Sequence, residues 1–90
     1  MSRRRAHPLD HAIGDVIRKL RRKRREDLKT FAERVKIYPT LIYRIEAGSL
    51  ENGRKHLMGL DTVYRLADGL DIPVSSLFKM AEDRLAVKHG

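Results

Sequence analysis

The side chains that offer the clearest chemistry in this sequence are positively charged, and their densest run is Arg21-Arg22-Lys23-Arg24-Arg25. Lys and Arg number 20 against 12 Asp and Glu, which leaves a net charge of +8. Residues 1–36 hold 13 of the basic side chains and only 5 of the acidic ones. Such a face attracts polyanions by Coulomb forces and by release of their counterions. The pattern predicts nucleic acid as a partner, with an acidic membrane surface or a merely solvated face as alternatives.

The residues that disulfides, metal sites, catalysis or phosphate-binding loops would need are either missing from this sequence or not grouped together. The sequence has no cysteine, so it offers neither disulfides nor thiolate metal ligands. The histidines show no ligand spacing beyond His7 and His11, and no nucleophile is matched with a base and an orienting group. Glycines occur singly, so no phosphate-cradling loop is present. We therefore expect no enzymatic activity, no cofactor and no metal site.

The expected compartment follows from the absence of long apolar runs. None approaches the roughly 20 residues that span a bilayer. The basic start of the chain is not followed by the apolar stretch of a secretory signal. We expect a cytoplasmic protein that is associated with the nucleoid and does not bind membranes.

Apolar residues recur at helical spacing throughout, and no segment alternates as a strand does. Aspartate, serine or proline stands at the start of these segments. The side chains of aspartate and serine can cap free amides, and the φ angle of proline suits a first helical turn. The predicted helices begin at Asp10, after Asp27, at Pro39, at Asp61 and after Ser75. We predict an all-α, compact five-helix domain over residues 10–86, with a flexible basic arm at 1–9, a loop at 48–59 and a flexible tail at 87–90.

The most informative stretch is the junction between the second and third helices. Leu28, Phe31, Ala32 and Val35 form one buried helical stripe. Tyr38 precedes a proline and is therefore disfavoured in the α region, so residues 36–38 are predicted to be a tight turn. Such a short connection makes the two helices cross steeply, and a protruding third helix fits the major groove of DNA.

Several short motifs stand in order along the chain. They are Ile13-Gly14, Leu20-Arg21, Phe31-Ala32, the run from Ile42 to Gly48 (IYRIEAG), the run from Leu66 to Ile72 (LADGLDI), and Leu77-Phe78. Together, and without a gap from Arg21 to Glu46, they resemble the Cro/C1-type (Xre-like) helix-turn-helix family over about three quarters of the chain. That family includes phage repressors, restriction-modification controller proteins and some antitoxins. The resemblance implies a lambda repressor-like fold and DNA binding.

The resemblance also implies roles for particular residues. It pairs Arg21 with Glu46 as a structural ion pair, which suits a buried carboxylate that needs a two-pronged partner. It places base-reading residues at Pro39, Thr40, Leu41, Tyr43 and Arg44, with Arg44 the best candidate because a guanidinium can grip guanine in two hydrogen bonds. Contacts to the DNA backbone are expected from Arg25, Lys29, Tyr38, Arg54 and Lys55.

The sequence departs from the family pattern in several places. Leu28 replaces a glutamine that could bond phosphate, and Pro39 replaces a polar base reader. Arg25 and Lys36 replace two glycines, which costs roughly 1 kcal/mol at each position that is left-handed. The loop at 48–59 is longer than usual, and its Arg54-Lys55 pair could clamp phosphate or be ordinary solvated surface.

The fifth helix offers apolar surface for pairing. We predict a homodimer through Leu77, Met80, Ala81 and Leu85, the alternative being that these residues only close the core. Two-fold pairing would place two recognition helices about 34 Å apart, on successive major grooves.

The leading functional interpretation is a sequence-specific transcriptional regulator, of repressor or controller type, that binds an inverted-repeat operator in double-stranded DNA. One alternative is an antitoxin-like interaction module with secondary DNA binding. Another is a non-specific nucleic-acid-binding protein, which would use the same arginines without needing Thr40 or Arg44.

Overall fold

The computed structural model describes residues 8–47 and 59–89, and these form five α-helices. The helices are α1 (Pro8–Lys23), α2 (Leu28–Val35), α3 (Pro39–Ala47), α4 (Leu60–Gly69) and α5 (Val74–His89). The predicted all-α, five-helix fold is therefore confirmed. Helix α5 runs to His89 and so extends into the segment expected to be a tail. Arg54 and Lys55 lie outside the described residues.

The core lies among all five helices. Helix α1 packs on α3 and α5, α2 packs on α3 and α4, and α4 packs on α5. The largest fully buried side chains are Ile17, Phe31, Ile42, Ile45, Leu66 and Leu77, so every helix contributes at least one. Within the described residues, no helix is long and apolar enough to cross a membrane.

Gly14 allows α1 and α3 to touch backbone to backbone. A Cβ atom built on Gly14 would lie 2.0 Å from the carbonyl oxygen of Ile45. The same face of α1 carries Ile17 and Arg21, which follow at helical spacing and are also buried. This stripe fixes α3 against α1, because an ordinary side chain at position 14 would push the two helices apart.

A residue in the left-handed region follows the end of three helices within two positions, although none of these residues is glycine. They are Arg25, Lys36 and Asp71, with φ angles of 57°, 59° and 59°. After each one, the next amide donates to the carbonyl oxygen five residues back, at 3.3 Å (Glu26 to Arg21), 3.1 Å (Ile37 to Ala32) and 3.0 Å (Ile72 to Ala67). This pattern closes a helix and turns the chain sharply.

An arginine side chain hydrogen-bonds to the backbone near each of these three left-handed residues. Each one donates to a backbone carbonyl oxygen at or next to the turn: Arg21 Nη1 to Glu26 at 2.9 Å, Arg65 Nη1 to Lys36 at 3.0 Å, and Arg34 Nη2 to Gly69 at 2.8 Å. These bonds satisfy carbonyl groups of the last helical residue or of the turn that follows, and so help offset the left-handed strain.

The left-handed geometry of Lys36 predicts that glycine at this position would stabilise the turn between α2 and α3. Lys36→Gly is expected to raise the free energy of unfolding by about 0.5–1 kcal/mol, because relief of the Cβ strain outweighs the greater freedom of glycine in the unfolded chain. Thermal or urea unfolding measures the change. The matched control, Lys19→Gly, alters an exposed lysine inside α1 and is expected to cost about 1 kcal/mol. A loss of stability in Lys36→Gly would contradict the argument.

Candidate nucleic-acid interface

The outer face of α3 carries the polar side chains predicted to read bases. Ile42, Ile45 and Glu46 are buried against the rest of the domain. Thr40, Tyr43, Arg44 and Ala47 recur at helical spacing on the opposite side, and all four are exposed. The guanidinium of Arg44 has no hydrogen bond or ion pair with the described residues. This face is therefore free to meet a ligand.

The other predicted base-reading residues lie around the start of α3. Pro39 is its first residue and is exposed, and Tyr38 just before it is 82% exposed. The carbonyl oxygen of Tyr38 accepts bonds from the amides of Leu41 and Ile42, at 3.0 and 3.2 Å. Leu41 is only partly exposed, because it packs against the core. Within this set, Leu41 therefore offers the least surface to a partner.

The position of α3 is secured by an ion pair between α1 and α3. Arg21 Nε donates to Glu46 Oε2 at 2.8 Å, and Arg21 Nη2 donates to Glu46 Oε1 at 2.7 Å. Arg21 is 9% exposed and Glu46 6% exposed. The hydrogen bonds with Glu46 raise the pKa of the Arg21 guanidinium. The structure thus brings together the two residues that the sequence analysis paired, in the two-pronged geometry that an arginine fork favours.

The start of α2 is capped by a carboxylate. Asp27 Oδ1 accepts a bond from the Thr30 amide at 2.8 Å, and this bond lowers the pKa of Asp27. One of the free amides of the first turn of α2 is therefore satisfied within the protein. Arg25 and Lys29 flank the cap and are exposed. Both side chains are therefore available to contact phosphate at this end of α2.

A second ion-pair network, which sequence reasoning missed, holds the turn between α1 and α2. Arg34 Nε and Nη2 both donate to Glu26, each at 2.8 Å, and the Arg34 guanidinium also lies 5.6 Å from the centre of the Phe31 ring. Bonding to Arg34 lowers the pKa of Glu26. This stabilisation is present above the ordinary pKa of glutamate and is lost as the pH falls through the lowered value. No local pattern signals the pair, because the two residues meet only through the turn.

The arginine and lysine side chains divide into two groups. Among the described side chains, several are committed to carboxylates of the protein itself: Arg18, Arg21, Arg24, Arg34, Arg65, Lys79 and Arg84. Seven others have no hydrogen bond or ion pair with the part of the chain described: Lys19, Arg22, Lys23, Arg25, Lys29, Lys36 and Arg44. All seven belong to the segment from α1 to α3, so the unpaired charge lies on the helix-turn-helix half of the domain.

Two residues of the predicted dimer interface lie elsewhere than expected. Leu77 and Ala81 were predicted to form a dimer interface, but both are 0% exposed inside the core of the single chain. A partner could reach them only by opening the domain, so they are removed from the predicted interface. Met80 is 37% exposed and Leu85 is partly exposed. Leu28 packs against the core, as an apolar side chain at that position should.

Comparison with known proteins shows a likeness to a solved structure. No known family profile matches the sequence, and no curated protein matches it. The crystal structure of the clp gene regulator ClgR from Corynebacterium glutamicum is similar, with a TM-score of 0.78 and 18% sequence identity over 90% of this chain and 80% of that chain. At this identity the likeness shows the fold alone. It confirms the predicted all-α, five-helix fold.

Proposed function

We propose that this protein is a sequence-specific DNA-binding regulator of transcription, with no enzymatic activity, that inserts α3 into the major groove. One observation supports this most strongly. Thr40, Tyr43 and Arg44 share the exposed face of a helix whose opposite face is anchored by a buried ion pair. A helix held in this way can present side chains to base edges without losing its own position. The likeness to a gene regulator supports the same function.

The chemistry of these side chains assigns them different tasks. Arg44 can donate two hydrogen bonds to the O6 and N7 acceptors of guanine. Thr40 can bond a base or touch the methyl group of thymine, and Tyr43, which is 62% exposed, supplies apolar contact. Arg25, Lys29 and Tyr38 would bond phosphates on either side and fix the register of α3, because backbone contacts position a protein without reading sequence.

We further propose that the protein acts as a homodimer of the repressor or controller type. Two-fold pairing through the exposed part of α5, at Met80 and Leu85, would set two copies of α3 on successive major grooves, about 34 Å apart. The target would then be an inverted repeat, because the symmetry of the site mirrors that of the protein. Such a regulator would act on the nucleoid in the cytoplasm.

The seven unpaired cations favour a second candidate, which is non-specific binding to nucleic acid. Phosphate attraction alone would account for salt-sensitive binding, without any role for the outer face of α3. The two candidates differ in what a single arginine does. An arginine that reads bases raises affinity only for the preferred DNA sequence. An arginine that binds phosphate raises affinity for all DNA sequences equally.

Arg44→Ala is expected to lower affinity for a preferred duplex by about 5- to 150-fold, because it removes a base contact of about 1–3 kcal/mol. Affinity for a random duplex should change by no more than a few-fold. Fluorescence anisotropy at fixed salt, with a duplex recovered from a random pool, measures both affinities. The matched control is Arg22→Ala, which removes another exposed and unpaired arginine. Arg22→Ala should weaken both duplexes alike. Equal losses in the two variants would support non-specific binding and overturn the proposed function.

A further inference from the structure

A groove of about 510 Å³ lies between α1 and α5. Val16, Leu20 and Met80 give it an apolar floor. Val16 is buried and Leu20 is half-buried, whereas Met80 is 37% exposed and is one of the few large apolar side chains of the described residues that water reaches. An occupant that covered this floor would withdraw apolar surface from water, which favours binding.

The charges around the groove do not cancel. Asp83 forms an ion pair with a lysine of its own helix, at 3.5 Å, and Arg84 donates to Asp15 at 3.1 Å. Lys19 and Lys23 also line the groove, and both are exposed and have no hydrogen bond or ion pair with the described residues. The groove therefore presents two uncompensated positive charges, one helical turn apart, beside its apolar floor.

These two lysines lie on the side of α1 that faces away from α3. Lys19 follows Ile17 by two residues, and Lys23 follows Arg21 by two residues. Two residues turn an α-helix by about 200°, and Ile17 and Arg21 lie on the face of α1 that meets α3. Both α1 and α3 therefore lie between the lysines and a duplex on the outer face of α3. Because charges are screened beyond about 8 Å at physiological ionic strength, such a duplex does not account for them.

We propose that this groove is the docking site for an acidic, amphipathic helical segment of a partner protein. A trough between two helices accepts a third helix that turns its apolar face inward. The apolar side chains of the segment cover Val16, Leu20 and Met80. Carboxylates on the segment, one turn apart, pair with Lys19 and Lys23, whose spacing along α1 is the same.

The charge pattern favours such a segment over a second copy of this chain. The groove carboxylate that a second copy would bring, Asp83, is already paired within its own helix and has no free charge for the lysines. A segment with unpaired carboxylates neutralises both lysines. Met80 also belongs to the surface proposed for pairing of two copies. If that part of the proposed function holds, the docked segment competes with a second copy and opposes the binding of two half-sites.

Fluorescence anisotropy with a labelled synthetic peptide tests the site. The probe is a peptide of alanine, leucine and glutamate, about 18 residues long so that it is helical in water. Leucines occupy one face of this helix and glutamates flank them. Two matched peptides replace either every glutamate with glutamine or every leucine with serine. Each should bind the wild-type chain at least about tenfold more weakly than the probe, because the groove combines charge with apolar surface.

Two variants of equal net charge separate the groove from the rest of the basic surface. Lys19→Glu with Lys23→Glu should weaken binding of the probe at least about tenfold, because both attractions become repulsions. The control, Arg22→Glu with Lys29→Glu, also reverses two exposed and unpaired charges but lies outside the groove. Its affinity for the probe should stay within about threefold of the variant-free chain. Circular dichroism checks that both variants fold.

Duplex DNA should rank the two variants in the opposite order. The control should lose more affinity for duplex DNA than the groove variant does, because Lys29 flanks the cap of α2, where phosphate contacts are proposed. Failure of the wild-type chain to select a DNA sequence would count against the proposed function and would leave the peptide result intact. The two proposals therefore fail separately.

Three results would overturn the docking site. Equal loss of probe binding in the groove variant and the control would show attraction by net charge alone, as would equal binding of the serine peptide and the probe. Absence of probe binding to the wild-type chain would also overturn it. In that case, weaker self-association of the groove variant in sedimentation equilibrium would assign the groove to contacts between copies of this chain.

Discussion

Glu46→Ala is expected to lower the free energy of unfolding by about 3–5 kcal/mol, which is a large share of the stability of a small domain. The substitution leaves the Arg21 guanidinium buried at 9% exposure without its carboxylate partner. An uncompensated buried charge costs more than the pair contributes, because it has already lost its water. Urea unfolding followed by circular dichroism measures the loss.

Two further variants separate the burial of charge from general damage to α3. The double change Arg21→Met with Glu46→Leu removes both charges and should recover most of the lost stability. The contribution of the hydrogen bond from Arg21 to the Glu26 carbonyl oxygen is not recovered. Arg18→Ala removes an arginine of the same helix whose side chain is 43% exposed and whose ion pair with Asp15 is long, at 3.6 Å. It should cost less than about 1 kcal/mol. Similar losses in Glu46→Ala and Arg18→Ala would refute the structural role of the buried pair.

Gly14→Ala is expected to destabilise the domain by about 3 kcal/mol or more. The new methyl group would lie 2.0 Å from the Ile45 carbonyl oxygen and 3.0 Å from its carbon, and both atoms belong to the backbone of α3. Neither atom can rotate away, so α1 and α3 must separate and the packing of Ile17 and Ile45 is lost. Thermal unfolding measures the effect, and the change should also weaken DNA binding because α3 shifts.

The other described glycines supply graded controls for this prediction. An alanine Cβ at Gly69 would meet Val35 Cγ1 at 2.3 Å, and a side chain can shift more easily than a backbone, so the cost should be about 1–2 kcal/mol. Nothing lies within 4 Å of a Cβ at Gly59, so Gly59→Ala should cost only the preference for glycine over alanine at the N-cap of α4, less than about 1 kcal/mol. Alanine favours helix over glycine by about 1 kcal/mol, so a more stable Gly14→Ala variant would show that α1 and α3 are not in close contact.

The parts of the fold that depend on local signals could be predicted from the sequence. Tyr38-Pro39 combines a residue disfavoured in the α region with a helix-starting proline, and the structure has its three-residue connection at 36–38. Asp27 is a cap in both the sequence argument and the structure, because capping involves residues three positions apart. The fold class followed from five helical stripes and was confirmed.

The features that escaped prediction depend on contacts between distant residues. The bonds of Arg34 to Glu26 and to the Gly69 carbonyl oxygen join three elements, and nothing in the local pattern marks that arginine as different from its exposed neighbours. Leu77 and Ala81 were assigned to a dimer interface because their apolar stripe on α5 looked surplus to one domain. Their burial depends on how closely α1 approaches α5, which helical periodicity does not report.

The two positions where this sequence replaces a glycine of the family pattern are left-handed in the structure. The resemblance marked Arg25 and Lys36 as occupying positions that are normally glycine, and the structure has both residues left-handed. Asp71 shares this geometry, although no glycine replacement pointed to it. Arginine bonds to nearby carbonyl oxygens help each turn tolerate its Cβ atom.

Selection from a random duplex pool with the purified wild-type protein, at about physiological salt, tests the central proposal most directly. Binding of phosphate alone enriches no sequence, whereas two copies of α3 in successive major grooves read two half-sites related by symmetry. An enriched inverted repeat is expected, with half-site centres separated by about one helical turn of DNA, roughly 10 base pairs. Recovery of salt-sensitive binding with no enriched sequence would contradict it.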